Sequence, residues 1–439
     1  MKILFIAPSF PPYYYGYKTP VSYMNKILTK FSSTSLEFAT LAALTPDKHT
    51  VRIVDESCQT LEDDYDCDLI GITCMTPNSI RAYQIADFFR CKGKTVVIGG
   101  WHPTVMPYEA KNHADSVLLG EAEETWPVLL ADFEKNNLKS FYRQQRSVNP
   151  KLIPQPKREL LDSRLIAPIQ ATRGCPYKCE FCAISNIPFG NIYRMRPVDN
   201  VIDEIKKIKQ KIISFYDPSM TINFEYTKSL FSKMKPLNKK FDAFGNINML
   251  GKDDSLLKLS KEAGCAQWVV GFDSVSQESL NSVGKKANIV KDYISIVKKI
   301  KDYGLGIHGN FIVGFDTDNK DIFEKTLNFV NKLDLDSAGF AVLIPYPGTP
   351  IYYKYEKEGR LLTKDWSQYY EGNVVFKPKN MSIEELCNGR DFIARKYNKL
   401  TKSSKRIIKS LRGGFSSFIY AFMQFPETLS NLTFEKEKN

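Results

Sequence analysis

Nowhere in these 439 residues does an apolar run approach the ~20 residues that a membrane-spanning helix needs. No secretory leader is visible either: Met1–Pro8 is a short apolar stretch that reads as a first strand. Acidic residues are missing between Phe392 and Pro426, where Arg395, Lys396, Lys399, Lys402, Lys405, Arg406, Lys409 and Arg412 are all basic. The nine cysteines are unevenly spaced and do not form the framework of a small disulfide-stapled domain. A reducing compartment suits them, so the expected location is cytoplasmic.

What is present describes an ordinary globular chain, 43% hydrophobic and 25% charged, long enough for two or three domains. Its net charge of +12 admits nucleic acid, anionic lipid or an acidic substrate as partner.

Three of the cysteines carry the most information. Cys175, Cys179 and Cys182 lie in Ala171-Thr-Arg-Gly-Cys-Pro-Tyr-Lys-Cys-Glu-Phe-Cys-Ala183, with the spacing C-x3-C-x2-C. Three thiolates on one short loop can hold three irons of a cubane cluster. No fourth cysteine follows nearby, so the fourth iron would stay open to a ligand, as a catalytic cluster requires. The alternative is structural zinc, but zinc sites usually draw on two Cys/His pairs and no histidine lies near this loop. The spacing, with aromatic Phe181 before the last cysteine, resembles the radical S-adenosylmethionine (radical SAM) enzymes. That resemblance implies a 4Fe-4S cluster whose open iron takes S-adenosyl-L-methionine and cleaves it to a 5′-deoxyadenosyl radical. It also implies a reductant partner such as flavodoxin or ferredoxin.

Residues 1–145 alternate short aliphatic runs with helical stretches. Lys2–Ala7, Val51–Asp55, Leu69–Thr73, Thr95–Gly99 and Ser116–Leu119 read as buried strands, and Ser79–Lys92 reads as a helix. The pattern predicts a parallel, Rossmann-like sheet with its ligand beyond the carboxyl ends of the strands. The loops at those ends, Ile70-Gly-Ile-Thr-Cys-Met-Thr76, Val97-Ile-Gly-Gly-Trp-His-Pro-Thr104 and Asp115-Ser-Val-Leu-Leu-Gly-Glu-Ala-Glu124, resemble the cobalamin-binding domain that precedes many radical SAM cores. The resemblance implies cobalamin contacts from Thr73, Thr76, Gly99, Gly100, His102, Thr104, Gly120 and Glu121. Gly99 and Gly100 would let the backbone approach a flat macrocycle, and Thr73, Thr76 and Thr104 would donate hydrogen bonds to it. The loop after the first strand, Ala7-Pro-Ser-Phe-Pro-Pro12, lacks the Asp-x-His-x-x-Gly of many cobalamin proteins. No protein imidazole is therefore expected on cobalt, and His102 is assigned a hydrogen-bonding role. A Rossmann-like domain that binds nothing is the alternative, and a second cluster on Cys58, Cys67, Cys74 and Cys91 is disfavoured by their spacing.

Residues 146–365 repeat a strand–helix rhythm. Ile166–Ala171, Ile212–Tyr216, Ala243–Ile247, Gln267–Gly271, Gly306–Val313 and Gly339–Ile344 are the expected strands; Asp199–Lys211, Asp254–Ala263, Ile289–Tyr303 and Asp318–Lys332 are the expected helices. That is too few for an eightfold barrel and fits a partial (β/α)6 barrel, the radical SAM core. By resemblance, Asp217 in Phe215-Tyr-Asp-Pro-Ser219 accepts the SAM ammonium. Asp273 in Val270-Gly-Phe-Asp-Ser274 contacts the ribose, and Asn310 in Gly309-Asn-Phe-Ile-Val-Gly314 lies near adenine. Arg173, Lys178 and Arg196 are the basic candidates for the SAM carboxylate.

Residues 366–439 form a mostly helical extension. Ser382 and Glu385 make a capping box, and Trp366, Tyr369 and Tyr370 either line a substrate entrance or pack. Ile407, Leu411, Phe418 and Phe422 fall on one helical face among the basic residues, the composition of an interfacial helix. The expectation is peripheral contact with the inner face of the membrane and a small-molecule, lipid-like substrate; nucleic acid is disfavoured for want of an RNA-binding appendage. Together the resemblances imply a cobalamin-dependent radical SAM C-methyltransferase, with oxidative cyclisation, rearrangement or RNA methylation as alternatives.

Overall fold

The computed structural model of the protein describes residues 1–11, 35–162 and 164–410. Among these residues two six-stranded parallel sheets and one two-stranded ribbon form.

The first sheet contains β1 (Lys2–Ala7), β2 (Thr50–Asp55), β3 (Leu69–Thr73), β4 (Thr95–Gly99), β5 (Ser116–Leu119) and β6 (Phe141–Arg143), in the order β2-β1-β3-β4-β5-β6. Alternate residues of β1 feed separate cores. Leu4 and Ile6 pack on one face with Ile70, Ile98 and Phe89, while Ile3 and Phe5 pack on the other with Phe38 and Trp126. A strand buried on both faces must be aliphatic throughout, which is why these runs lack a polar alternation. The helix Ser79–Cys91 buries Ala82, Tyr83, Ala86 and Phe89, one stripe at helical spacing. Beyond the expected five strands, β6 pairs with β5, three residues too short to stand out in the sequence. The chain reverses direction across the sheet at β1, which has β2 on one side and β3 on the other. The carboxyl ends there open a crevice.

The connecting segment is not slack. Arg164 donates to Asp55 at 2.7 Å, tying it to the end of β2. Next come β7 (Ile166–Ile169) and the ribbon of β8 (Thr172–Arg173) with β9 (Arg194–Met195), which run antiparallel and bracket the cysteine loop. The second sheet continues through β10 (Ile212–Phe215), β11 (Lys240–Gly245), β12 (Cys265–Asp273), β13 (Gly306–Val313) and β14 (Ser337–Val342). After β7, each strand pairs with the next along the chain, and β7 and β14 are its two edges, so the barrel is partial, as expected. Its outer face packs Phe215, Phe231, Phe241 and Trp268 against the helices.

In the extension, Ser382 and Glu385 exchange both bonds of a capping box, at 2.8 and 3.1 Å, and start the helix Ile383–Tyr397, which packs on β14. Trp366 and Tyr369 are buried packing residues rather than an entrance lining. The basic helix Leu400–Ser410 follows. Leu411, Arg412, Phe418 and Phe422 lie outside the described residues. No helix among the described residues is long and apolar enough to cross a membrane.

Candidate active site

The cysteine loop is held by backbone geometry at both ends. Gly174 adopts φ +77°, and a Cβ there would stand 2.1 Å from the carbonyl of Ile192. Cys175 N donates to the Gly190 carbonyl at 2.9 Å. The Asn186 side-chain amide donates to the carbonyls of Cys179 and Cys182, at 3.0 and 2.7 Å. Phe181 meets Phe315 edge-on at 6.1 Å and closes the inner side. All three cysteines are free thiols. Burial pushes the Cys179 thiol up to about 12, against the opposing charge of Lys285, and burial also raises Cys175. Among the described residues no three His, Cys, Asp or Glu side chains converge as ligands of one ion. A cubane makes a different demand, a separate iron for each sulfur, and a loop of three thiols without histidine fits it. Loading must drive off the thiol protons, so cluster uptake is favoured by higher pH.

Lys285 is the functional residue that the sequence reading missed. It ion-pairs with Asp273, and its charge is felt by all three thiols. Burial alone would lower its pKa; Asp273 and the Cys179 thiol more than reverse that. The three basic candidates nearer in sequence are placed otherwise. Arg173 pairs with Glu123 at 2.5 Å and Arg196 with Glu204 at 2.7 Å, while Lys178 is exposed. The link from Lys285 to the loop is tertiary: Glu180 N donates to Val283 O at 3.0 Å, so no local signal betrays it. Asp273 holds φ +61°, unusual for a residue with a side chain, and is 5% exposed.

Asp217 is fully buried and accepts hydrogen bonds from Ala171 N at 3.1 Å and from the Thr172 amide and hydroxyl. Burial raises its pKa to about 6 in spite of those donors. Its carboxylate braces the strand entering the cysteine loop, chiefly through Oδ1. Asn310 lies on β13 with its Oδ1 3.0 Å from His308 Nε2. Burial lowers the pKa of that imidazole and favours its neutral form.

A cavity of about 410 Å³ lies between the two sheets. Thr73, Gly99, Gly100, Gly120 and Glu121 line it from the carboxyl ends of β3, β4 and β5; Gln170, Tyr216 and Pro218 line it from the second sheet and Arg173 from the ribbon. Gly100, at φ +105°, could carry a Cβ only 2.7 Å from the Cys74 carbonyl. This side-chain-free wall fits the flat face of a corrin. Thr76, His102 and Thr104, expected with these residues, do not line the cavity. Thr76 Oγ1 and His102 Nδ1 lie 3.1 Å apart, both buried, and His102 Nε2 reaches Glu109 at 3.2 Å. Thr104 donates its hydroxyl to Gly100 O at 2.7 Å. These polar atoms hydrogen-bond within the protein and brace the loops.

Residues 30–130 match the model of the B12 binding domain and residues 169–330 that of the Radical SAM superfamily. The bacteriochlorophyllide d C-8(2)-methyltransferase of Chlorobaculum tepidum is 33% identical over 77% of this chain and 79% of its own. The C-12(1)-methyltransferase of the same organism is 30% identical over 85% of each. Among solved structures, the cobalamin-dependent S-adenosylmethionine radical enzyme OxsB superposes with a TM-score of 0.69 at 15% identity, over 98% of this chain and 72% of that one. Two parallel sheets, one ending in a three-cysteine loop and the other in a glycine-lined crevice, define an α/β enzyme with two facing sites. The chain belongs to the cobalamin-dependent radical SAM methyltransferases, whose cofactors are a 4Fe-4S cluster, S-adenosyl-L-methionine and cobalamin.

Proposed function

We propose that the protein is a C-methyltransferase acting on an unactivated carbon of a hydrophobic, lipid-like small molecule. Residues 1–145 would bind cobalamin, 146–365 would form the radical core and 366–439 the extension. The observation that carries the reading is the single cavity faced by both the cysteine loop's hairpin and the glycine wall. Facing the glycine wall that cavity presents Ile184, Ile187, Tyr216 and Pro218, and its Arg173 and Arg194 are already paired with Glu123 and Glu121, which favours an apolar guest over an ionic one.

When bound, the cluster supplies the electron that opens S-adenosylmethionine, and cobalamin supplies the methyl group. The chain's part is positioning. Cys175, Cys179 and Cys182 hold the cluster, and Lys285 offers the fixed cation beside it for the SAM carboxylate. Asp273, oriented by that same lysine, is the candidate for the ribose. Thr73, Gly99, Gly100, Gly120 and the backbone of Glu121 would form the corrin wall, the Glu121 carboxylate being turned to Arg194. Phe181 and Phe315 keep water from the inner side of the loop. The basic C-terminal segment would bring the enzyme to an anionic membrane surface where such a substrate resides.

High-resolution mass spectrometry of extracts from a host lacking the gene and from its parent tests this. A parent-only lipid heavier by one CH2 supports the reading. A parent-only species lighter by two hydrogens would replace it with oxidative ring formation. A difference confined to water-soluble metabolites or RNA would overturn the lipid-like substrate.

A further inference from the structure

Two loops from the first sheet grip the cysteine loop from both sides. Trp101, directly after the glycine pair, donates from Nε1 to the carbonyl of Ala183 at 3.2 Å, one residue past Cys182. Glu121, after β5, receives both terminal nitrogens of Arg194 at 2.6 and 2.7 Å. Arg194 lies on β9, the strand that closes the cysteine loop. Glu123 pairs with Arg173 at 2.5 Å, on β8, two residues before Cys175. The gripping loops are also tied to each other: Thr104 Oγ1 accepts from Gly120 N at 2.9 Å while donating to Gly100 O. Apart from that brace, each contact runs from a cavity-wall loop of the first sheet to a flank of the thiols.

The choice of residues is informative. The side chains of Arg173, Arg194, Glu121 and Glu123 are between 8% and 18% exposed. Burying charge at a seam is a poor way to gain adhesion, since apolar residues of similar volume hold as well or better. What a forked guanidinium–carboxylate pair adds is a fixed distance and a fixed plane. Reacting groups on two separate sheets need that, because a misplacement of about 1 Å can cost roughly a hundredfold in rate.

We propose that Trp101, Glu121 and Glu123, with Arg173 and Arg194, are positioning residues that set the spacing between the cluster and cobalamin. The inference rests on the reading above, in which the cysteine loop and the glycine wall hold these two cofactors.

The test is electron paramagnetic resonance of the reduced, fully loaded full-length enzyme. The cluster and cob(II)alamin are both paramagnetic, and their dipolar coupling falls as the inverse cube of their separation. In the parent, the cluster is expected to speed cob(II)alamin spin relaxation to a single, well-defined rate. Glu121→Gln and Trp101→Phe, with iron and cobalamin contents equal to the parent's, should relax several-fold more slowly and with a spread of rates. Reversing the pair, Glu121→Arg with Arg194→Glu, should restore the parent's rate. Parent-like relaxation in both loaded single variants overturns the inference. So does loss of cobalamin from both, because they would then be binding residues rather than spacers. Should only Glu121→Gln fail to load, Trp101→Phe, which keeps its ring and loses one hydrogen bond, decides alone. A parent that loads both cofactors without enhanced relaxation overturns the spacing inference only. A parent that takes up no cobalamin overturns the reading beneath it.

Discussion

At the scale of single residues, the contrast between Asp217 and Lys285 shows where side-chain chemistry and sequence position part company. Both flank the cysteine loop, and the carboxylate that a motif pointed to accepts from backbone amides of the strand entering it. The lysine, more than a hundred residues from the first cysteine, faces the thiols instead. Asp273 depends on that lysine for its only ion pair among the described residues. Lys285→Met keeps the volume but leaves a buried carboxylate without its cation, and we expect it to cost about 3–5 kcal/mol of unfolding free energy. The double variant with Asp273→Asn should recover most of that loss in chemical denaturation of the apo chain. Equal stability of the single and double variants would show that the pair does not carry the effect.

At the scale of elements, Gly100 joins β4 to the helix Trp101–Val105 with a backbone conformation and clearance that side chains do not tolerate. Gly100→Ala should destabilise the fold by roughly 1–3 kcal/mol and abolish cobalamin retention on gel filtration. Retention at the parent's level would mean that the wall is not where the corrin lies.

A second junction, between the end of β13 and the helix Pro350–Lys357 with the turn after it, is electrostatic. Asp316, just past β13, accepts from Arg360 at 2.8 Å and Lys354 at 2.7 Å. Burial would raise its pKa, but the hydrogen bonds from Arg360 and Lys354 hold it well below the ordinary 3.8. A carboxylate depressed in the folded state adds its stability above its unfolded value and loses it as pH falls through the folded one. Asp316→Asn is therefore expected to cost on the order of 2 kcal/mol at pH 7. The gap from the parent should narrow as pH drops below about 4. A gap independent of pH in calorimetric scans would assign the loss to packing instead.

Elements of this kind were the most legible part of the sequence. The twelve strands of the two parallel sheets include all eleven that aliphatic runs announced, and Gly306–Val313 and Asp254–Ala263 have the expected limits. Burial on both faces imposes a composition that survives without any knowledge of partners. Three-residue β6 and the two-residue strands of the hairpin carry too few side chains to show a pattern. The site was legible where its residues are consecutive, as in the cysteine loop and Gly99–Gly100. It was not legible where a side chain's partner is distant, as with Thr76 and His102, whose polar atoms turn inward to each other.

At the scale of the whole molecule, the +12 charge is concentrated toward the carboxyl end, where the helix Leu400–Ser410 carries Lys402, Lys405, Arg406 and Lys409. The full chain should sediment with vesicles containing anionic phospholipid and be released at about 1 M salt, where the Debye length is near 3 Å. Removing residues 403–439, which takes away Lys405, Arg406 and Lys409, should abolish binding to the same vesicles. Binding that survives the truncation, or that ignores salt, would remove the basic tail from the account.

Both sheets aim their carboxyl ends at one cavity, while the core of the second sheet and nearly all of one core of the first lie away from it. Stability and chemistry are thereby stored in different parts of the chain. Loops at the cavity can lengthen, shorten or change composition without disturbing the strands that present them. A lineage inheriting this arrangement can acquire a new substrate by editing a few connecting segments, while the frameworks that hold the radical machinery drift only within the limits of their packing.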